Sequence, residues 1–235
     1  MSIMSPAEVE AAAQTVIIDT STAHRTLEGW AYGFPEIRGL REKIISSKRI
    51  ANPGCHASGF ISLAAPLVSE GVIAADTLLT CFSLTGYSSG GKKMISDYEN
   101  EHRSSLLDAP RMYGISQAHK HLPEMNKITG LTCPPVFCPV VGDFYSGMEV
   151  VISLFADQAE GGIRRISEVF ADYYAGSKLV HFAGDHSEGG FLSAGAFSGR
   201  DDMEITVQGN DERIILISRF DNLGKGADRK STRLN

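Results

Sequence analysis

Cysteine is scarce in this chain of 235 residues, and its four copies, Cys55, Cys81, Cys133 and Cys138, are irregularly spaced. That excludes a disulfide-built scaffold and fits free thiols in a reducing compartment, so a cytoplasmic location is expected. Cys133 and Cys138 form the one close pair, and no second pair of ligands stands at matching spacing, so no metal site is expected. Basic charge is also short. Lys and Arg number 22 against 28 Asp and Glu, a formal net charge of -6, with no local basic stripe, which argues against a nucleic-acid surface. No apolar run approaches the roughly 18 to 20 residues of a membrane helix. The opening MSIMSPAEVEAAAQ lacks the basic start and apolar core of a secretion signal. The phosphate-binding spacing GxxxxGK[ST] is absent, and no glycine-rich strand–turn–helix precedes residue 14.

What is present is an ordinary globular balance, 43% hydrophobic and 21% charged, enough for one large domain or two modest ones. Residues 5–14 carry Ser, Pro and Glu in the order of a helix start. Residues 15–19 read as a short buried strand with a polar loop after it, half of a parallel α/β unit whose ligands sit at the strand's C-terminal end. Residues 47–55 predict a brief strand and a turn. From Phe60, apolar residues recur at Leu63, Ala64, Leu67 and Val68 as on a helix face, and Gly71 suits the position just past its end. Residues 76–86 predict a strand entering the glycine-rich loop GYSSGGKK. Residues 147–155 read as a strand, 161–176 as a helix, and 203–220 as a hairpin turning at GNDE. The second half therefore predicts an antiparallel or mixed sheet covered on one face.

Cys55, in ANPGCHASG, stands between a Pro-Gly turn and a helix start. Backbone N–H groups and the helix dipole there favour thiolate, while Gly54 leaves room for a carbonyl to approach. A small buried residue is the alternative. A nucleophilic cysteine needs a proton-transfer partner, and AHKHLPE offers His119 and His121, with Glu124 able to orient one imidazole. Two histidines at i, i+2 cannot share a helix face, and Pro123 discourages a long helix, so an extended or turn segment is expected. His24, beside Arg25, is a third polar candidate. GYSSGGKK either brings backbone N–H groups to an anion or flat ring, or is a plain surface turn.

The stretches DTSTAHRT, WAYGFPE, ANPGC, GYSSGGKKMI, AHKHLPEM and DNLGKGA, in that order from Asp19 to Ala227, resemble the shorter subgroup of the N-acetyl-gamma-glutamyl-phosphate reductase family, within the semialdehyde dehydrogenases. The resemblance implies an α/β plus α+β architecture: a partial Rossmann-like nucleotide-binding domain with an inserted mixed-sheet domain that carries the chemistry and forms a homo-oligomer, a dimer or tetramer. Residues 1–54 and 219–235 would belong to the first domain and 55–218 to the second. It implies NADPH-dependent reduction of an acyl phosphate to an aldehyde with phosphate release, in arginine biosynthesis. Cys55 would be the nucleophile and His119 the acid/base, with His121 close enough to be confused with it. Arg25 would hold the substrate phosphate, a task that suits a fixed guanidinium fork, with Lys92 and Glu124 also on the substrate side. Ser21, Gly86, Ser88, Ser89, Gly90, Gly91 and Asn222 would face the cofactor NADP.

The chain departs from that family in three places. Glycine-rich sequence is missing before residue 14, so the chain is expected to lack the first half of the nucleotide-binding domain and to be inactive by itself. His56 and Gly59 stand where the family usually has an aromatic and a threonine. DRKSTRLN at the end reads as a non-native tail. Competing readings are another semialdehyde dehydrogenase acting on aspartyl phosphate, a cofactor-less non-catalytic fragment, and a thiol hydrolase that needs no nicotinamide.

Overall fold

The short apolar runs IID and RIA pair in parallel as β1 (Ile17–Asp19) and β3 (Arg49–Ala51), with β2 (Ala31–Tyr32) on the other side of β3. This computed structural model describes residues 7, 8 and 15–225. Of the helix expected over 5–14 only residues 7 and 8 are described, both helical, and the tail from 228 onward lies outside the described residues. Helix α1 (Leu40–Ser46) joins β2 to β3 and buries Ile44 against Ala31 and Ile50.

Helix α2 (Cys55–Ser69) is the centre of the molecule. Every residue from His56 to Leu67 is buried, so it has no solvent face. Phe60, Leu63 and Leu67 are fully enclosed, each a contribution of about 1.5–3 kcal/mol. Gly59 lets the helix lie close on the sheet behind it, because a Cβ there would strike Val150 and the Ser218 hydroxyl. A threonine at this position would not fit this packing. Pro66 sits inside the helix and lacks the N–H that would bond Ser62; the Tyr174 hydroxyl donates to the Ser62 carbonyl instead, at 2.7 Å. The helix closes as the sequence predicts at Gly71, φ 70°, with the Val72 N–H on the Leu67 carbonyl at 2.8 Å and the Gly71 N–H on that of Val68 at 3.2 Å.

Behind α2 stands a mixed seven-stranded sheet, in the order β5-β6-β4-β7-β10-β9-β8 among the described residues. Its members are β4 (Thr80–Gly86), β5 (Arg111–Met112), β6 (Val136–Gly142), β7 (Met148–Phe155), β8 (Val180–Phe182), β9 (Met203–Gly209) and β10 (Arg213–Phe220). β4 with β6 and β8 with β9 are parallel; the other pairs are antiparallel. Met148, Val150, Ile152 and Leu154 alternate onto the face that joins the core of α2 and α5 (Gly162–Tyr173). The opposite face shows Phe82, Val136, Phe155 and Ile215 to solvent. Tyr32, Phe34 and Ile37 reach into the same core from the N-terminal part.

Two local expectations change. The strand expected from residue 76 begins at Thr80, because the Thr77 N–H turns back onto the Ala74 carbonyl. GYSSGGKK is a 3₁₀ turn, Tyr87–Gly90, followed by helix α3 (Gly91–Tyr98), so Lys92 and Lys93 are helical. As expected, His119–His121 is a non-helical turn segment, and Pro123 stands in the first turn of a short helix, α4 (Leu122–Thr129), where its fixed φ and missing N–H cost nothing.

Candidate active site

Gly54 caps α2 with extended geometry (φ -78°, ψ 150°), and Cys55 is the first residue of the helix. Glycine is required by crowding, because a Cβ at 54 would run into His121 Nε2, the Arg25 guanidinium and the Glu124 carboxylate. Glu124, on α4 and only 1% exposed, organises that corner. Oε1 accepts from Arg25 NH1 at 2.7 Å, and Oε2 accepts from the Tyr32 hydroxyl at 2.7 Å and the Gly54 N–H at 3.1 Å. One carboxylate thus ties together the loop after β1, strand β2 and the start of α2.

Arg25 also donates from Nε to the Asn52 carbonyl (2.8 Å) and from NH2 to that of Thr20 (3.1 Å). Its guanidinium therefore staples the C-terminal ends of β1 and β3, the ligand end of a parallel sheet. Ser21 lies nearby but turns back on its own strand, donating its N–H and hydroxyl to Asp19, which also binds His24 Nδ1 at 2.7 Å.

Three imidazoles crowd the thiol. His56, next to Cys55 in the helix, lies with its ring centre 5.7 Å from that of His119 and 5.6 Å from that of His121; His119 and His121 are 4.8 Å apart. Burial, then His119 and Lys120, push His56 down to about 3, so it is neutral. Burial also holds His121 well below the ordinary histidine value, and His119, half-buried, is lowered by burial and Lys120. His121 is enclosed, with Nε2 4.0 Å from Glu124 and no partner at Nδ1. His119 is the more open of the two, its Nδ1 accepting the His121 backbone N–H at 3.3 Å.

The segment carrying them is held by Gln117, a non-glycine residue at φ 57°. Its side-chain amide bonds the Phe137 N–H and carbonyl, each at 2.8 Å, taking the place of a neighbouring strand on β6. Composition and pattern carry no signal for that role; only the positive φ and the pairing reveal it.

Burial pushes the Cys55 thiol up; the His56 backbone N–H, Arg25 and Lys120 pull it back, and Glu124 pushes it further up. The helix start alone does not make a thiolate here. Cys55 opens on a cavity of about 240 Å³ lined by Arg25, Gly54, His56, Ser89, Gly90, Met94, Tyr113, His119, Lys120 and His121. A larger hollow of about 690 Å³ lies by Glu36, Arg41 and Lys225, where Lys225 is ion-paired with Glu36, but it holds no nucleophile. The smaller one carries the chemistry.

On the other rim, Gly86–Gly90 is clamped on the 144–147 turn by backbone bonds from Gly86, Tyr87 and Ser88. Asn222 completes the clamp: its Oδ1 accepts the Gly147 N–H and its Nδ2 donates to the Ser88 hydroxyl, both at 2.9 Å. Ser89 and Gly90 face the cavity, and Gly91, φ 70°, has open space where a Cβ would stand. The structure thus gathers Cys55, His119, His121, Arg25, Ser89 and Gly90 around one cavity. Glu124, Ser88 and Asn222 stand behind them as supports, while Ser21, Gly86, Gly91 and exposed Lys92 lie off its wall. Tyr113, Lys120, Met94 and Tyr32 are the members that sequence reasoning did not single out.

Known proteins share this arrangement of sequence and fold. A profile of the semialdehyde dehydrogenase dimerisation domain matches residues 55–222. N-acetyl-gamma-glutamyl-phosphate reductase 2 of Nostoc sp. is 41% identical over 229 residues, covering 91% of this chain and 71% of that protein. The N-acetyl-gamma-glutamyl-phosphate reductase of Brucella anthropi is 39% identical over 221 residues with the same coverage. Among solved structures, aspartate semialdehyde dehydrogenase from Francisella tularensis superposes with a TM-score of 0.70 at 16% identity, over 97% of this chain and 76% of that one. At that identity the likeness shows the fold alone.

Proposed function

Because the chain belongs to the N-acetyl-gamma-glutamyl-phosphate reductase family, we propose that it reduces N-acetyl-gamma-glutamyl phosphate to N-acetylglutamate semialdehyde, releasing phosphate, through a thioester on Cys55 and with NADPH. The observation that carries this reading is Cys55 in the first turn of a 15-residue helix, sharing one cavity with Arg25, His119 and His121.

The residues suit each step. His119, neutral and open to the cavity, accepts the Cys55 proton, and Sγ attacks the acyl carbon. The tetrahedral intermediate reforms its carbonyl as the bond to the phosphate oxygen breaks. Phosphate leaves toward Arg25 and the positive end of α2, taking up a proton from solvent. A nicotinamide, when bound, supplies the hydride that converts the thioester to a thiohemiacetal alkoxide. That alkoxide collapses to the aldehyde, the C–S bond breaks, and His119 returns the held proton to Sγ. Gly90 lines the cavity with Met94 packed against it, and Gly91 beside it has open space where a Cβ would stand, which suits the approach of a flat ring. Ser88 and Asn222 keep that rim in place, and Lys92 and Ser21 are further candidates for ligand contact outside the cavity.

We assign residues 55–218 to the catalytic and dimerisation domain and 1–54 with 219–235 to the nucleotide-binding domain. The matched profile and the exposed Phe82, Val136, Phe155 and Ile215 support pairing with a second copy through the outer sheet face. Among the described residues no helix is long and apolar enough to cross a membrane, and four free cysteines support a reducing, cytoplasmic setting.

The test is the reverse reaction: N-acetylglutamate semialdehyde, phosphate and NADP⁺, followed by NADPH absorbance, in a background with a complete nucleotide-binding domain, wild type and His119→Asn; the turnover measurements below use the same background. Phosphate-dependent NADPH formation, lowered about 10²- to 10⁴-fold by the substitution, is expected. Preference for aspartate semialdehyde, acyl-phosphate hydrolysis without nicotinamide, or no turnover at all would each overturn the assignment in favour of one of its three rivals.

A further inference from the structure

Next to the nucleophile, inside α2, lies a hydrogen-bonded chain of three side chains that the reaction as written does not use. His56 Nδ1 is 2.7 Å from the Ser83 hydroxyl on β4, and Nε2 is 2.6 Å from the Tyr113 hydroxyl. His56 and Ser83 are buried at 2% and 0% exposure, whereas Tyr113 is partly buried and lines the cavity with Cys55.

A neutral imidazole has one donor and one acceptor, so the chain has two possible directions. If Tyr113 donates to Nε2 and Nδ1–H donates to Ser83, the Ser83 proton is left in the core with no acceptor, because among the described residues His56 is the one hydrogen-bond partner of that hydroxyl. A buried donor left unmade is unfavourable. In the opposite direction Ser83 O–H donates to Nδ1, Nε2–H donates to the Tyr113 oxygen, and every buried donor is satisfied. The Tyr113 proton then has one place to point, the cavity.

We propose that His56 is a positioning residue: anchored by Ser83, it turns the Tyr113 O–H toward Cys55, where it donates a hydrogen bond to the acyl oxygen as negative charge develops there. This rests on the thioester reading above. Burial, and then the nearby Cys55, hold the Tyr113 phenol above its ordinary value, so it stays protonated. His56 is neutral at working pH for the reason already given, so the direction of the chain does not depend on pH. A preorganised donor of this kind acts on the tetrahedral state more than on the bound substrate, so its loss falls on kcat.

Two measurements test the proposal. The first needs no reaction: in protein with ¹⁵N-labelled histidine, the ring shifts of His56 should report the neutral Nε2–H tautomer, and Ser83→Ala should shift the population toward Nδ1–H. An Nδ1–H tautomer in the wild type overturns the proposal whatever the enzyme's substrate. The second is turnover. Tyr113→Phe and His56→Phe should each lower kcat about 10²-fold with KM little changed, and the double variant should be no slower than Tyr113→Phe alone. Full kcat in His56→Phe, or losses that multiply, would remove the coupling. If Cys55→Ser instead left reduction intact, the thioester reading would fail while the tautomer result stood.

Discussion

The two ends of α2 are built from the same chain a few turns apart and obey opposite rules. At the Ser69 end, Gly71, Leu67 and Val72 close the helix with two backbone bonds against apolar neighbours, and Tyr174 mends the gap left by Pro66. Among the described residues no buried side-chain nitrogen or oxygen at that end lacks a partner. At the Cys55 end the helix begins without a side-chain cap, and its N-cap glycine N–H is held by a carboxylate from another helix. Around it are packed a buried ion pair, three imidazoles and a thiol, with His121 Nδ1 left unpartnered. A protein keeps such a crowd of polar groups at a cost in stability. The contrast separates the part of the helix that holds the fold from the part that is poised for chemistry.

The largest effect should come from Cys55→Ser. It keeps the volume and removes the thiolate, so turnover should fall by about 10⁴-fold or more while the melting temperature changes little. Appreciable residual activity would move the chemistry away from this end of the helix.

Glu124→Ala attacks the same end through its support. It leaves the Arg25 guanidinium buried without its carboxylate and frees Tyr32 and the Gly54 N–H. A loss of about 3–5 kcal/mol in urea unfolding is expected, with activity falling alongside. A loss under 1 kcal/mol would mean that the network is not what orders the site.

Acid should distinguish the ends as well. His56 and His121 are held neutral in the fold, with values depressed by burial, while the unfolded chain takes up protons near the ordinary histidine value of about 6.5. Their contribution is thus fully present above that pH and is lost as pH falls toward the folded values, about 3 for His56. Stability should drop by up to about 1.4 kcal/mol per pH unit for each group below 6.5. In His56→Phe the slope between pH 6 and 4 should be shallower by one proton; an unchanged slope would place the acid sensitivity elsewhere.

The smallest effect belongs to the far end. Gly71→Ala forces a Cβ into a left-handed conformation with open space around it, so about 1 kcal/mol of stability should be lost. Turnover per folded molecule should not change. A fall in kcat would show that the two ends are coupled along the helix.

Much of this contrast could be read in advance at one end and little at the other. Pro53-Gly54 before an apolar period of 3.6 marked the start of α2, and Gly71 marked its close, because turns and caps are local. The strand at 147–155 and the hairpin over 203–220 were likewise legible from β-branched runs broken by a polar turn. Pro123 was legible as a bar to a long helix, and His119–His121 is indeed a turn; that the proline also opens the short α4 depended on its position in a first turn. Gln117 and Tyr113 gave no sign, because their importance lies in partners, Phe137 and His56, that are distant in sequence.

By itself the sequence determined the elements and the candidate chemistry: a cysteine at a helix start, two histidines two residues apart, an arginine after the first strand. Those are properties of short segments, set by backbone preference and side-chain type within a few residues. The tertiary structure alone decided which of them meet and in what state. Glu124 binds Arg25 and Gly54 from 99 and 70 residues away, and enclosure in a low-dielectric corner, which disfavours every charged form, raises the thiol and neutralises the imidazoles. Desolvation depends on what lies on all sides of a group, and a linear order of residues does not contain that information.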